Sequence, residues 1–269
     1  MWSGPSLSQA DPDLSRRYFQ ELVDKLEGMG IQLAAFELGN ELNMAAFNGE
    51  FPLPGEGKVF GLDDLRHDPE AQQIGKGYLQ YLKVLSVLKN VRDHSNLNQH
   101  TPILTAGFGA FEAPEGPVFG AKPGTGADMV SVNATIEFMR ANGLDELVDG
   151  YAVHVYPWAN DPGQAAATLG RKTRLANYVL AECRPEGSKS GKPCWITEWG
   201  FKNTDTSCPL HEKPQVTLIE EMKNIFREYA GQGKLKGLFY YAWIDSRGNY
   251  GLFRCGSLTQ SGRLAIAPL

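Results

Sequence analysis

Leu33-Ala34-Ala35-Phe36-Glu37-Leu38-Gly39-Asn40-Glu41 is the stretch on which the reading of this chain turns. It is short, largely apolar up to Leu38, and entered from Gly28 and Gly30, which suits a buried strand better than a helix. Its last residue is a carboxylate. Upstream, the segment from Asp13 to Gly28 sets Leu14, Tyr18, Leu22 and Leu26 at helical spacing, so a helix precedes the strand and stops at the glycines.

Downstream the same alternation returns four times. A helix from about Glu70 to Asp93 leads to strand Ile103–Gly107, and one from Ala127 to Asn142 leads to strand Gly150–Tyr156. Helix Gln164–Glu182 then leads to strand Cys194–Glu198, and helix Val216–Tyr229 to strand Gly237–Trp243. Alternating helices and strands imply an α/β fold with a parallel sheet. Loops after strands are longer than loops before them, notably Asn43 to His67 and Phe108 to Gly126. In a barrel of parallel strands that asymmetry builds the rim where reacting groups sit. No linker of Pro, Gly or Ser divides the chain and no repeat is visible, so residues 1–269 read as one domain.

Composition narrows the partners. A hydrophobic content of 42% supports one sizeable core, and a formal net charge of -5 counts against a phosphate-tracking surface, so no nucleic-acid partner is expected. No apolar run approaches the roughly 20 residues of a membrane span. Met1-Trp2-Ser3-Gly4-Pro5 lacks the blocks of a signal peptide, and the chain as given reads as soluble. Cys183, Cys194, Cys208 and Cys255 contain no CxxC pair, leaving two disulfides or four thiols open. Cys208 and Cys255 follow successive strands, and a bridge between them would favour an oxidising compartment, hence a secreted or periplasmic location.

Two strands end in glutamate: Gly39-Asn40-Glu41 and Ile196-Thr197-Glu198-Trp199-Gly200. Cleavage of a glycosidic bond with retention needs such a pair, one carboxyl to protonate the departing oxygen and one carboxylate to attack the anomeric carbon. No cofactor is needed. Metal-dependent hydrolysis is the weaker reading, because His67, His94, His100, His154 and His211 are scattered without ligand spacing.

Asn40-Glu41 and Thr197-Glu198-Trp199-Gly200 resemble the acid/base and nucleophile motifs at the ends of the fourth and seventh strands in the large clan of retaining (β/α)8 glycosidases, which includes cellulases, mannanases, xylosidases and heparanase-like enzymes. His154-Val155-Tyr156 resembles the clan's sixth-strand signature, and Trp243 its eighth-strand aromatic. The resemblance runs from about Leu33 to Leu252. It implies a (β/α) TIM-barrel fold, hydrolysis of a β-linked glycoside or polysaccharide, Glu41 as acid/base and Glu198 as nucleophile. It also implies that Asn40 bonds the sugar 2-hydroxyl, that His154 and Tyr156 support the carboxylates, and that Trp243 floors the first sugar subsite.

Other residues carry plainer readings. Glu37 lies deeper on the strand face of Glu41 and reads as structural. Trp158, Trp195 and Trp199 read as core aromatics, and the mixed run Asp63, Asp64, Arg66, His67, Asp68 as a solvated loop. Asp245, Arg247 and Asn249 suit substrate contact or a solvated loop equally. Against the resemblance, the acid/base glutamate comes too early for three complete strand-helix units to precede it, so the chain counts as five strands with the first three missing. Open strand edges would then need covering, by self-association or by a partner chain. An arginine commonly supplied by the early strands is not located. The alternative function is a non-catalytic carbohydrate-binding or scaffolding remnant of such a barrel.

Overall fold

A computed structural model of the chain describes residues 6–109, 112–113, 116–117, 128–156, 191–201, 203, 207–208, 211–244 and 250–269. The expected helix Gln164–Glu182 lies outside them, as do Trp158, Asp245, Arg247 and Asn249. Two compact units divide the chain, Met1–Tyr151 and Ala152–Leu269.

In the first unit, helix α1 (Pro12–Gly28) begins where the Asp11 carboxylate accepts the N–H groups of Asp13 and Leu14, with Pro12 in the first turn. It buries Phe19 and Val23, while Leu14, Tyr18 and Leu22 point to solvent. The stripe expected from the fourfold spacing is therefore not the packed one. Residues four apart drift around a helix of 3.6 residues per turn, and the neighbouring stripe found the partners.

Strand β1 (Phe36–Glu37) is shorter than the run that announced it. Phe36 is buried and Glu37 is exposed, because strand alternation turns Glu37 to the side opposite the core-facing phenylalanine. The long segment after Glu41 is partly regular, with strand β2 (Val59–Phe60) and helix α2 (Leu62–His67). Its charge run is capping chemistry rather than a loop. Asp64 accepts the Gly61 N–H at 2.7 Å, and Asp68 caps helix α3 (Pro69–Asp93) by accepting the N–H groups of Glu70 and Ala71.

Strand β3 (Ile103–Leu104) pairs in parallel with β1, Phe36 opposite Ile103 and Glu37 opposite Leu104. Tyr81 of α3 pins the two strands: its hydroxyl donates to the Leu38 carbonyl at 2.9 Å and accepts the Ala106 N–H at 3.1 Å. Burial pushes this phenol's pKa up, so it stays a donor. The entry loops are tied by Glu27, whose carboxylate accepts the N–H groups of Asn96, Leu97 and Asn98. Burial opposes its charge, but these donors outweigh it and hold the carboxyl at about 2. Arg92, buried, donates to the Thr101 carbonyl and to Asp149, which also accepts the Ile103 N–H.

Strands β4 (Glu112–Ala113) and β5 (Gly116–Pro117) pair antiparallel. Strand β6 (Met129–Val130) runs parallel to β2. Helix α4 (Val132–Arg140) starts later than Ala127 because Ser131 caps it, its hydroxyl accepting the Ala134 N–H at 3.0 Å.

The second unit is built on a three-stranded sheet in the order β7 (Tyr151–Val155), β8 (Cys194–Trp199), β9 (Leu235–Tyr240), the unit boundary falling just after Tyr151. Helix α5 (Lys213–Gly231) covers one face of the sheet, with Phe226 against Trp199 at 5.1 Å between ring centroids. A short hairpin of β10 (Phe253–Arg254) and β11 (Ser257–Leu258) leads into helix α6 (Gln260–Ile266). Lys223 of α5 donates to the carbonyls of Leu264, Ala267 and Pro268 at the end of α6. Cys208 and Cys255 form a disulfide, and Cys194 is also disulfide-bonded. No described helix is long and apolar enough to cross a membrane.

Candidate active site

The first unit presents Glu41 on a sharp turn at the end of β1. Asn40 bridges Gly107 in parallel, and the Glu41 N–H donates to the Gly107 carbonyl at 2.8 Å, so the strand pairing carries on to the glutamate itself. There the backbone breaks away. Gly39 has φ +90°, Glu41 has φ +42°, and the Met44 N–H closes a turn onto the Glu41 carbonyl at 2.9 Å. A left-handed conformation at a non-glycine residue costs about 1–3 kcal/mol and persists where the surroundings hold it, as functional sites do. The Glu41 carboxyl rests against Gly109, where a Cβ would collide with it. Asn43, fully buried, donates its side-chain amide to the carbonyls of Gly109 and Val130 at 3.2 and 3.3 Å.

In the second unit, Glu198 owes its position to an irregular register. Ile196 pairs with Leu238 and Trp199 with Tyr240, so three steps on β8 face two on β9. The extra residue is a bulge, which re-aims the side chains on either side of it. Cys194, Ile196 and Trp199 are all buried although regular alternation would turn Trp199 the other way, and Thr197 and Glu198 are left partly exposed. The Tyr156 hydroxyl donates to Glu198 Oε2, and Nδ1 of the buried His154 stands 3.6 Å from the same oxygen. His154 and Tyr156 alternate with core residues along β7, so both turn to the face that carries Glu198.

Two further rings meet Tyr156. Tyr156 makes edge contacts with Tyr241 and Tyr250 at centroid distances of 6.2 and 5.4 Å, and those two rings meet each other at 6.0 Å. Neither tyrosine stood out in the sequence. Tyr241 sits two positions from Trp243 in a run of aromatics, and the spacing could not say which ring meets Tyr156. Trp243 stacks on Phe253 at 6.1 Å and is 54% exposed. Trp199 is a core residue among Phe201, Phe226 and Tyr240, as its sequence context suggested. Trp195 stacks on Phe239 and lies over Gly237. Among the described residues, no group of three or more His, Cys, Asp and Glu could hold a metal ion.

No protein-family model matches the sequence, and no curated protein matches it. Solved structures do. A fungal β-1,4-galactanase superposes with a TM-score of 0.55 at 17% identity, over 98% of this chain and 72% of that one. A family 1 β-glucosidase from Thermotoga maritima superposes with a TM-score of 0.53 at 13% identity, over 93% of this chain and 66% of that one. The chain thus spans about two thirds to three quarters of these neighbours. At such identity the likeness is one of fold: α/β with parallel sheets, of the (β/α) TIM-barrel type found in glycoside hydrolases.

Proposed function

We propose that this chain supplies the two carboxylates of a retaining β-glycosidase, Glu198 as nucleophile and Glu41 as general acid/base. The observation that supports this reading most directly is the Tyr156 hydroxyl on Glu198 Oε2, with His154 beside it on a half-open face. A carboxylate held by one oxygen has a fixed direction of attack through the other, and fixed direction is what displacement at a ring carbon requires. Glu41, on its turn where the strand pairing ends, would supply the proton.

In the first step Glu41 gives its proton to the glycosidic oxygen while Glu198 Oε1 bonds to the anomeric carbon, and the bond to the leaving group breaks. In the second, the Glu41 carboxylate takes a proton from water. That water attacks the same carbon, and Glu198 departs as a carboxylate. Asn40 would bond the sugar 2-hydroxyl, where contacts strengthen as positive charge develops on the ring. Trp243 would offer an apolar face to a sugar ring.

The test is mass spectrometry of the protein after incubation with a broad panel of activated 2-fluoro glycosides, which trap the glycosyl-enzyme. An adduct on Glu198 supports the reading and names the sugar. No adduct from any sugar, with glycan binding retained, would instead assign a carbohydrate-binding role.

A further inference from the structure

Asn43 is a buried polar residue that the double displacement does not use. Its side-chain nitrogen reaches two backbone carbonyls far apart in sequence, Gly109 and Val130, and its Oδ1 is buried with no partner among the described residues. An orphaned buried acceptor is unfavourable, so the two bonds of the amide nitrogen are what hold this side chain in place. Gly109, one of the two residues Asn43 holds, is the residue against which the Glu41 carboxyl rests, and a Cβ there would displace that carboxyl.

We propose that Asn43 is a positioning residue for Glu41, acting through the backbone of Gly109. The amide ties Gly109 to Val130, and Val130 returns the tie by donating its N–H to the Asn43 carbonyl at 2.8 Å. The surface under the Glu41 carboxyl is therefore braced from two sides, while the Glu41 backbone is braced by Gly107 and Met44. The fold would tolerate a Cβ at Gly109, because the atoms it meets are the end of a flexible side chain, but the Glu41 carboxyl would have to move. The inference rests on Glu41 being the acid/base group.

A leaving-group series separates this role from a merely structural one. Protonation of the departing oxygen matters for a poor leaving group and hardly at all for a highly acidic one. For Asn43→Asp, Asn43→Ala and Gly109→Ala, kcat/KM on alkyl glycosides or oligosaccharides should fall by roughly 10- to 100-fold, the scale of a misplacement near 1 Å. With a dinitrophenyl glycoside of the same sugar, the fall in the glycosylation step should stay below about 3-fold. Gly109→Ala keeps the test sharp if the Asn43 variants fold poorly. An equal loss on both substrates, or no loss on either, overturns the proposal while leaving a retaining wild-type enzyme in place. A wild-type protein inert to every glycoside, including the 2-fluoro series, overturns the parent reading and this one with it.

Discussion

Tyr156 donates its hydroxyl to Oε2 of Glu198, joining the end of β7 to the bulged end of β8. Two strands thereby fix one carboxylate. Neither does so alone, because the bulge releases Glu198 from the ladder and the tyrosine then takes hold of it.

Removing that hydroxyl should cost catalysis more than stability. Tyr156→Phe keeps the ring contacts with Tyr241 and Tyr250 and loses the bond. The expected result is a fall in kcat of about 100-fold, as for a displaced catalytic group, with little change in the unfolding midpoint. Steady-state kinetics beside thermal unfolding would decide, and an unchanged kcat would remove Tyr156 from the site.

Tyr81→Phe should act on stability. It leaves the Leu38 carbonyl and the Ala106 N–H without the hydroxyl that joins them, and unmade hydrogen bonds in a buried setting cost about 1–3 kcal/mol. Urea denaturation measures the loss. Hydrogen exchange should quicken first around Ala106.

Trp199 is 1% exposed, with three aromatic neighbours on β9, on α5 and in the following loop. Trp199→Ala should destabilise by about 3–5 kcal/mol, and Trp199→Phe by clearly less. A loss below about 1 kcal/mol for the alanine variant would mean that the cavity collapses around it.

Glu27 predicts a pH dependence. Its carboxyl is held at about 2 in the folded state, below the ordinary value near 4.3. A depressed folded value adds stability that is fully present above the unfolded value and is lost as pH falls towards the folded one. The stability gap between wild type and Glu27→Gln should therefore be constant above about pH 5 and shrink between about pH 4 and pH 2. Denaturation curves at three pH values check it, and a gap that persists at pH 2 would contradict the assignment.

Much of the fold was legible because strand and helix periods are local. The runs ending at Glu41 and Glu198 announced strands with a carboxylate at the end, and all five expected strands are present at or near their places. Capping residues were present in the sequence too, at Asp11, Asp68 and Ser131, though Asp68 stood inside a charge run whose default reading was a loop. The buried stripe of α1 was not legible, because a helix with two adjacent apolar stripes leaves the choice to its partner.

By itself, then, the sequence determined the alternation of elements and the positions of two strand-end glutamates. Each of these follows from residues a few positions apart. Only the tertiary structure decided that Trp199 turns to the core and Glu198 away from it, since a bulge is a mismatch between two strands and neither strand encodes it alone. It also decided that Tyr241 and Tyr250 rather than Trp243 lie on Tyr156, and that Asn43 reaches across 66 positions to brace Gly109 beneath Glu41. The physical reason is common to all three: side-chain direction at a strand end depends on what the neighbouring strand offers, and pairing partners far apart in the chain leave no local period to read.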